Sequence, residues 1–253
     1  MRNSTPVTPP AATASAAPAT RVVVHDEASA NAAGRHWSDI VGFLAFLALA
    51  AWDVRIAPAV SLALIPVFAY EVAAGLAFLG RRRARASVRG LGPRIAAYGG
   101  TFAVPLFLAF AASREPSWLT PVTRTFPTIA HWAVPTGNIL VFSGACMSAW
   151  GLWYLRSSIS LEPAARGLVT RGPYAIARHP LYLAYTLSYA GITIQHPTIQ
   201  VAILMVIWFA MTWARIRYEE DVLTAVFPEY AAYRTRVGAL GPIHLPTVAR
   251  AYQ

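Results

Sequence analysis

The 253-residue chain contains no lysine, one cysteine and charged side chains at only 13% of its positions. Each scarcity excludes something. The lone Cys146 rules out an internal disulfide framework and a cysteine-rich metal site, and within its apolar run it reads as a small buried apolar residue. With 56% apolar residues against so little charge, the composition is too oily for an ordinary soluble domain and fits a polytopic membrane protein. All 21 basic residues are arginine and the net charge is +10, which in so apolar a chain speaks first of membrane topology. No nucleic-acid partner is expected.

Also missing is an apolar h-region after an early basic cluster with a clean cleavage site, so no signal peptide is expected. Residues 1–34 are rich in Ala, Ser, Thr and Pro without apolar periodicity, and read as a disordered tail ahead of a membrane domain over 35–253.

Length and apolarity mark the spans. Residues 40–52, 57–80, 95–113 and 132–155 give four, and 180–212 is too long for one crossing, since a helix needs roughly 20 residues. The break at Gln195-His196-Pro197 divides it into a tight helical hairpin. The fold expected is therefore all-α, a polytopic bundle of about six crossings. Residues 215–237 alternate charged and aromatic positions and read as an amphipathic surface helix. Arginine supports this topology: with both termini on one side, the opposite loops hold only Arg55, Arg114 and Arg124. That asymmetry predicts cytoplasmic termini and a cytoplasmic site.

Two polar clusters flank the final hairpin. In the first, Arg171-Gly172-Pro173-Tyr174 forms a turn, and Arg178-His179-Pro180 opens a helix with proline in the first turn, where its missing N–H is harmless. In the second, Arg215 and Glu219 lie four apart on one helical face, beside Glu220. Two adjacent glutamates facing anionic lipid are unfavourable unless a cation engages them, so a positively charged ligand would account for them. Elsewhere, Glu71 reads as a buried polar contact, His131 and His196 lack ligand-spaced partners, and the 81–85 arginine run reads as a topology determinant with anionic-lipid binding as a consequence. No metal is expected.

The ordered blocks Leu168-Val169-Thr170, Gly172-Pro173-Tyr174, Arg178-His179-Pro180 and Tyr182, then Arg215-Ile216, Glu219-Glu220, Leu223, Phe227, Tyr230, Tyr233 and Val237, resemble the isoprenylcysteine carboxyl methyltransferase family. They are also similar to the related phospholipid N-methyltransferases. The resemblance covers about the last third of the chain, and the paired blocks are more specific than either alone. It implies an integral membrane enzyme holding S-adenosylmethionine in a pocket within about 156–240, and no glycine-rich dinucleotide fingerprint competes with that. It further implies cofactor contacts at Leu168, Val169, Tyr174, His179, Pro180, Tyr182 and Glu219, with Glu220 a rival to Glu219. Arg215 then faces the acceptor and Arg178 supports it. The implied partners are membrane lipids and a lipophilic or lipidated acceptor.

The chain departs from the family pattern at Arg166, where many members have histidine, and at Ala184 and Pro228, where glycine is usual. An acceptor carboxylate is already ionised at neutral pH, whereas an amine would need a base, for which His179 or Glu220 are the candidates. Two further readings stand beside these. Steroid-reductase-type membrane enzymes, which use a nicotinamide cofactor, share the Arg-His-Pro-x-Tyr block but usually have Asn where Leu181 stands; a scaffold without activity would bind neither nucleotide.

Overall fold

The computed structural model describes residues 21–25, 37–56, 65–113 and 127–241. Its elements run β1 (Arg21–Val24), α1 (Trp37–Ile56), α2 (Ile65–Leu79), β2 (Ala86–Arg89), α3 (Leu91–Ser113), α4 (Pro127–Leu155), β3 (Ala164–Ala165), α5 (Pro180–Gln195), α6 (Ile199–Val226) and α7 (Glu229–Arg236). The molecule is mostly helical. A small antiparallel sheet, ordered β1-β2-β3, departs from the all-α expectation. Its first strand comes from the segment expected to be disordered: Arg21 pairs with Arg89 and Val24 with Ala86. Three consecutive valines suit a strand, and Val22 also packs on the apolar cluster of Val88, Val222 and Phe227, a contact invisible to composition. Residues 1–20 and 26–34 of that tail lie outside the described residues.

Two helical stretches, His131–Ser158 and Ile199–Val226, are long and apolar enough to cross a bilayer, and Ile40–Ala51 and Pro66–Leu79 are shorter apolar helices. Large apolar side chains such as Leu44, Leu76, Ile139, Phe142, Val206 and Phe209 point outward, as lipid-facing groups do. Cys146 also lies on an exposed face of α4, contrary to the expectation of burial. It stands among these outward groups, where an apolar run says nothing about which face each residue takes.

The helices associate through small residues. Along α4, Gly137, Gly144 and Gly151 recur every seventh position and meet α5. A methyl group added at Gly144 would lie 2.2 Å from Ser188 Oγ and 2.6 Å from the Ala184 carbonyl oxygen. At Gly137 it would come within 2.7 Å of the Gly191 carbonyl oxygen. Backbones this close gain dispersion contacts that larger residues would block. On the other side α6 packs against α3, where the Trp208 indole donates to the Gly100 carbonyl at 2.9 Å.

The expected hairpin is present, since only three residues separate α5 from α6, but its arms take different partners. α5 lies on α4 and α6 on α3, and the site opens where the two arms part. The predicted surface helix over 215–237 is instead two elements. α6 continues without a break through Arg215 and Glu220, both buried, and only after Phe227 does the short α7 begin. The alternation of charge and aromatics reflected a polar interior, not a lipid surface.

Candidate active site

A cavity of about 140 Å³ lies between α5, α6 and the 158–174 connection, lined by residues from α1 and α2 as well. That is room for several water-sized groups. Its apolar end carries Phe46, Tyr70, Phe78, Leu155 and Leu161; its polar end carries His179, Tyr182, Arg215 and Glu219.

His179 caps α5, with Pro180 at the first helical position as predicted. Its ring lies between the two glutamates, Nδ1 3.6 Å from Glu219 Oε2 and Nε2 3.3 Å from Glu220 Oε1, and stacks on Tyr182 at 5.5 Å between centroids. Tyr182 donates to Glu219 Oε1 at 2.6 Å, and Arg215 Nε donates to the same oxygen at 3.0 Å. The polar clusters on either side of the hairpin therefore meet in one hydrogen-bonded group.

The glutamates differ in setting. Glu219 lines the cavity with a side chain 20% exposed, whereas Glu220, at 3%, lies behind it and does not. Glu220 Oε1 accepts from Arg178 Nε at 2.8 Å and Nη2 at 2.6 Å, and Arg234 Nε stands 3.6 Å from its other oxygen. So of the two rival carboxylates, only Glu219 faces the cavity.

The two arginines also divide their work. Arg178 borders the cavity, yet Nε and Nη2 serve Glu220 while Nη1 donates to the carbonyls of Arg234 and Val237. Its backbone N–H bonds Gly238 at 2.9 Å and that of His179 bonds Ala239 at 3.0 Å, which latches the chain after α7 over the start of α5. Arg215, buried, donates through Nη1 to Ala97 and Thr101 Oγ1 and through Nη2 to the Ser160 carbonyl. Among the described residues this leaves one Nη2 N–H for a ligand.

Leu168, Val169, Tyr174, Pro180 and Tyr182 all line the cavity, so of the site residues expected from sequence only Glu220 stands outside it. Burial pushes the Tyr174 hydroxyl pKa up, and burial with other influences takes that of Tyr233 up to about 12; both stay protonated at neutral pH. Tyr233 donates to the Tyr174 carbonyl, fixing the turn that forms one wall.

Sequence reasoning assigned no site role to Tyr70, Tyr185 or Tyr230. The hydroxyls of Tyr70 and Tyr185 pair across the cavity, and the Tyr182-x-x-Tyr185 spacing, which sets both rings on one face of α5, was the available signal. Tyr230 is 1% exposed and lines the cavity, and its hydroxyl, among the described residues, is buried without a partner. Such an orphan costs about 1–3 kcal/mol, which a bound ligand would recover. Among the described residues no group of three His, Cys, Asp or Glu side chains could hold a metal ion.

Residues 130–230, which run from α4 to Tyr230, match the family model of the phospholipid methyltransferases. Over that segment, well under half of the chain, it is similar to this family. It is 38% identical over 137 residues to the cobalt-zinc-cadmium resistance protein CzcN of Cupriavidus metallidurans, covering 53% of this chain and 56% of the relative. It is 34% identical over 94 residues to the nickel-cobalt-cadmium resistance protein NccN of Alcaligenes xylosoxydans xylosoxydans, covering 37% and 42%. The chain thus spans about half the length of the curated relatives it matches. The family match and the apolar helices mark a membrane protein.

Proposed function

We propose that the protein transfers a methyl group from S-adenosylmethionine to a carboxylate on a lipophilic, membrane-embedded acceptor, at a cytoplasmic site. The observation that carries this reading is the presentation of Glu219, and not Glu220, to a cavity walled by aromatic rings. The residues present suit the donor. A carboxylate and the face of Tyr174 attract a sulfonium, the face by about 0.5–2 kcal/mol, while the Tyr182 ring is already engaged by His179 and Arg215, and the orphaned Tyr230 hydroxyl offers a hydrogen bond to a polar ligand atom. When bound, S-adenosylmethionine supplies an electrophilic methyl group on a positively charged sulfur.

The chain's own residues do the positioning. Tyr182, Arg215 and His179 hold Glu219 in place from three sides. The Arg215 N–H that remains meets a carboxylate end-on, orienting one acceptor oxygen, and orientation of this kind supplies much of an enzyme's rate advantage. The apolar end of the cavity takes the acceptor's hydrocarbon and excludes water, which favours a reaction that annihilates opposite charges.

Amine methylation, which the family's name suggests, needs a group to take the proton. The two candidates are engaged elsewhere: both His179 nitrogens face carboxylates, and Glu220 serves Arg178 and Arg234 outside the cavity. That favours the carboxylate acceptor. Membranes containing the protein, supplied with methyl-labelled S-adenosylmethionine, should yield lipid-soluble label released by mild base. Label stable to base would replace the ester with an amine product, and binding of NADPH without S-adenosylhomocysteine would replace methyl transfer with reduction.

A further inference from the structure

A second polar constellation lies beside the cavity and takes no part in the methyl-transfer reading. The arginine-rich connection between α2 and β2 folds back onto the 156–167 connection, with Arg82 N–H donating to the Ser157 carbonyl at 2.6 Å and Arg85 N–H to that of Ala165 at 2.7 Å. Arg166 reaches across to donate to the Arg82 carbonyl, and through Nε to Ser160 Oγ at 3.4 Å. The Arg166 guanidinium is thereby held against the Arg82 backbone. Among the described residues neither Arg82 nor Arg166 has a carboxylate within ion-pair distance. Glu162, a nearby carboxylate, accepts from Tyr98 at 3.1 Å and stands 3.7 Å from Arg94. Burial lowers the pKa of both Arg81 and Arg166 to about 10, and for Arg81 the neighbouring Arg166 charge adds to the effect while the Glu162 carboxylate opposes it. Like charges held this way are stabilised by an anion.

Backbone geometry supplies the rest. A methyl group at Gly167 would lie 2.9 Å from Ser158 Oγ and 3.7 Å from Arg82 Nη1, so the missing side chain leaves a hollow between a hydroxyl and a guanidinium. Ser158 and Gly167 also line the cavity, which places the hollow at its edge. We propose that Arg82 and Arg166, with the Ser158 hydroxyl and the bare backbone of Gly167, form a phosphate-binding cradle, taking the phosphate of a lipid headgroup or free phosphate. Arginine suits this role because its planar fork matches phosphate oxygens two at a time, which a topology signal alone does not require. The cradle would hold a phospholipid at the cavity mouth as a bound neighbour of the acceptor.

The test is thermal stability of the detergent-purified protein at matched ionic strength, with inorganic phosphate, acetate, or mixed micelles of phosphatidic acid or diacylglycerol. Phosphate or phosphatidic acid should raise the melting temperature by about 2 °C or more over chloride, as saturating ligands do. Arg166→Gln should abolish the rise, Arg82→Gln should reduce it, and Arg236→Gln, on the exposed face of α7, should keep it. A response to both probes identifies phosphate itself, and a response to phosphatidic acid alone identifies a lipid headgroup; either supports the cradle. No response to either, an equal response to acetate or diacylglycerol, or an undiminished response in Arg82→Gln would overturn it. Arg82→Gln decides even if Arg166→Gln fails to fold, because the Arg82 side chain is exposed. Titration with S-adenosylhomocysteine, run alongside, reads the methyl-donor site separately, so either proposal can fail alone.

Discussion

The Tyr182 hydroxyl donates to Glu219 Oε1 at 2.6 Å, joining α5 to α6 where the two arms of the hairpin have otherwise taken separate partners. Glu219 is thus a carboxylate aimed by its neighbours while still lining the cavity. Its replacement by glutamine keeps the shape and removes the charge. A hydrogen bond to a charged group contributes about 1.5–3 kcal/mol, so Glu219→Gln should weaken S-adenosylhomocysteine binding by roughly tenfold to a hundredfold in calorimetric titration. Some stability should be lost, because Glu219 is the counter-charge of buried Arg215, but less than at the more deeply buried Glu220, because Glu219 is partly exposed and Arg215 keeps its bonds to Ala97, Thr101 and Ser160. Unchanged affinity would remove Glu219 from the site.

Glu220→Gln should do the reverse. The residue lies behind the cavity, and its loss leaves the buried Arg178 guanidinium without its counter-charge. Breaking one side of a buried pair costs about 3–5 kcal/mol, enough to lower the melting temperature by several degrees in calorimetry. Whatever folded protein remains should bind S-adenosylhomocysteine with affinity within about threefold of wild type, a change under 1 kcal/mol. Adjacent glutamates with opposite phenotypes would be hard to obtain from a scaffold whose arginines merely anchor it.

Much of the polar group was legible because the chemistry is local: Arg178-His179-Pro180 starts a helix and Arg215 and Glu219 share a face at any depth. What periodicity could not show is which surroundings that face meets. Arg215 and Glu220 looked like groups on a membrane surface, yet α3, β3 and the latch after α7 enclose them. Choosing between Glu219 and Glu220 needed the position of Arg178, 42 residues from Glu220 and recruited from another element. The strand at Arg21–Val24 was hidden for a similar reason, since its partner β2 lies about sixty residues on and composition averaged over the tail conceals a short valine run. The Gly137, Gly144, Gly151 series stands in the sequence as a seven-residue repeat, but only the structure shows that it is the close face of α4.

That series yields a prediction about how the site is built. Gly144→Val would set branched carbons against Ser188 and the Ala184 carbonyl, forcing α5 away from α4. Overpacking costs about 1–3 kcal/mol or more, and here the displaced helix carries His179, Tyr182 and Tyr185. S-adenosylhomocysteine binding should fall at least tenfold although no binding group is altered. Gly80→Ala is the comparison, since an added methyl meets nothing within 4 Å, and it should bind as wild type does.

Tyr230 gives the sharpest separation of stability from binding. Its hydroxyl is buried beside the cavity and, among the described residues, finds no partner, so Tyr230→Phe removes a polar atom that contributes nothing to the ligand-free fold. The ring contacts to Tyr233, with centroids 5.8 Å apart, are retained. The ligand-free variant should therefore melt at or slightly above the wild-type temperature, because about 1–3 kcal/mol of desolvation is no longer incurred. If the hydroxyl exists to meet a bound ligand, the same change should weaken S-adenosylhomocysteine binding by about fivefold to tenfold, the worth of one ordinary hydrogen bond. A variant both more stable and weaker in binding would show the orphaned hydroxyl to be kept for the ligand; one that is more stable and binds equally well would leave Tyr230 as packing and direct the search for the donor's polar contacts to the 158–170 connection.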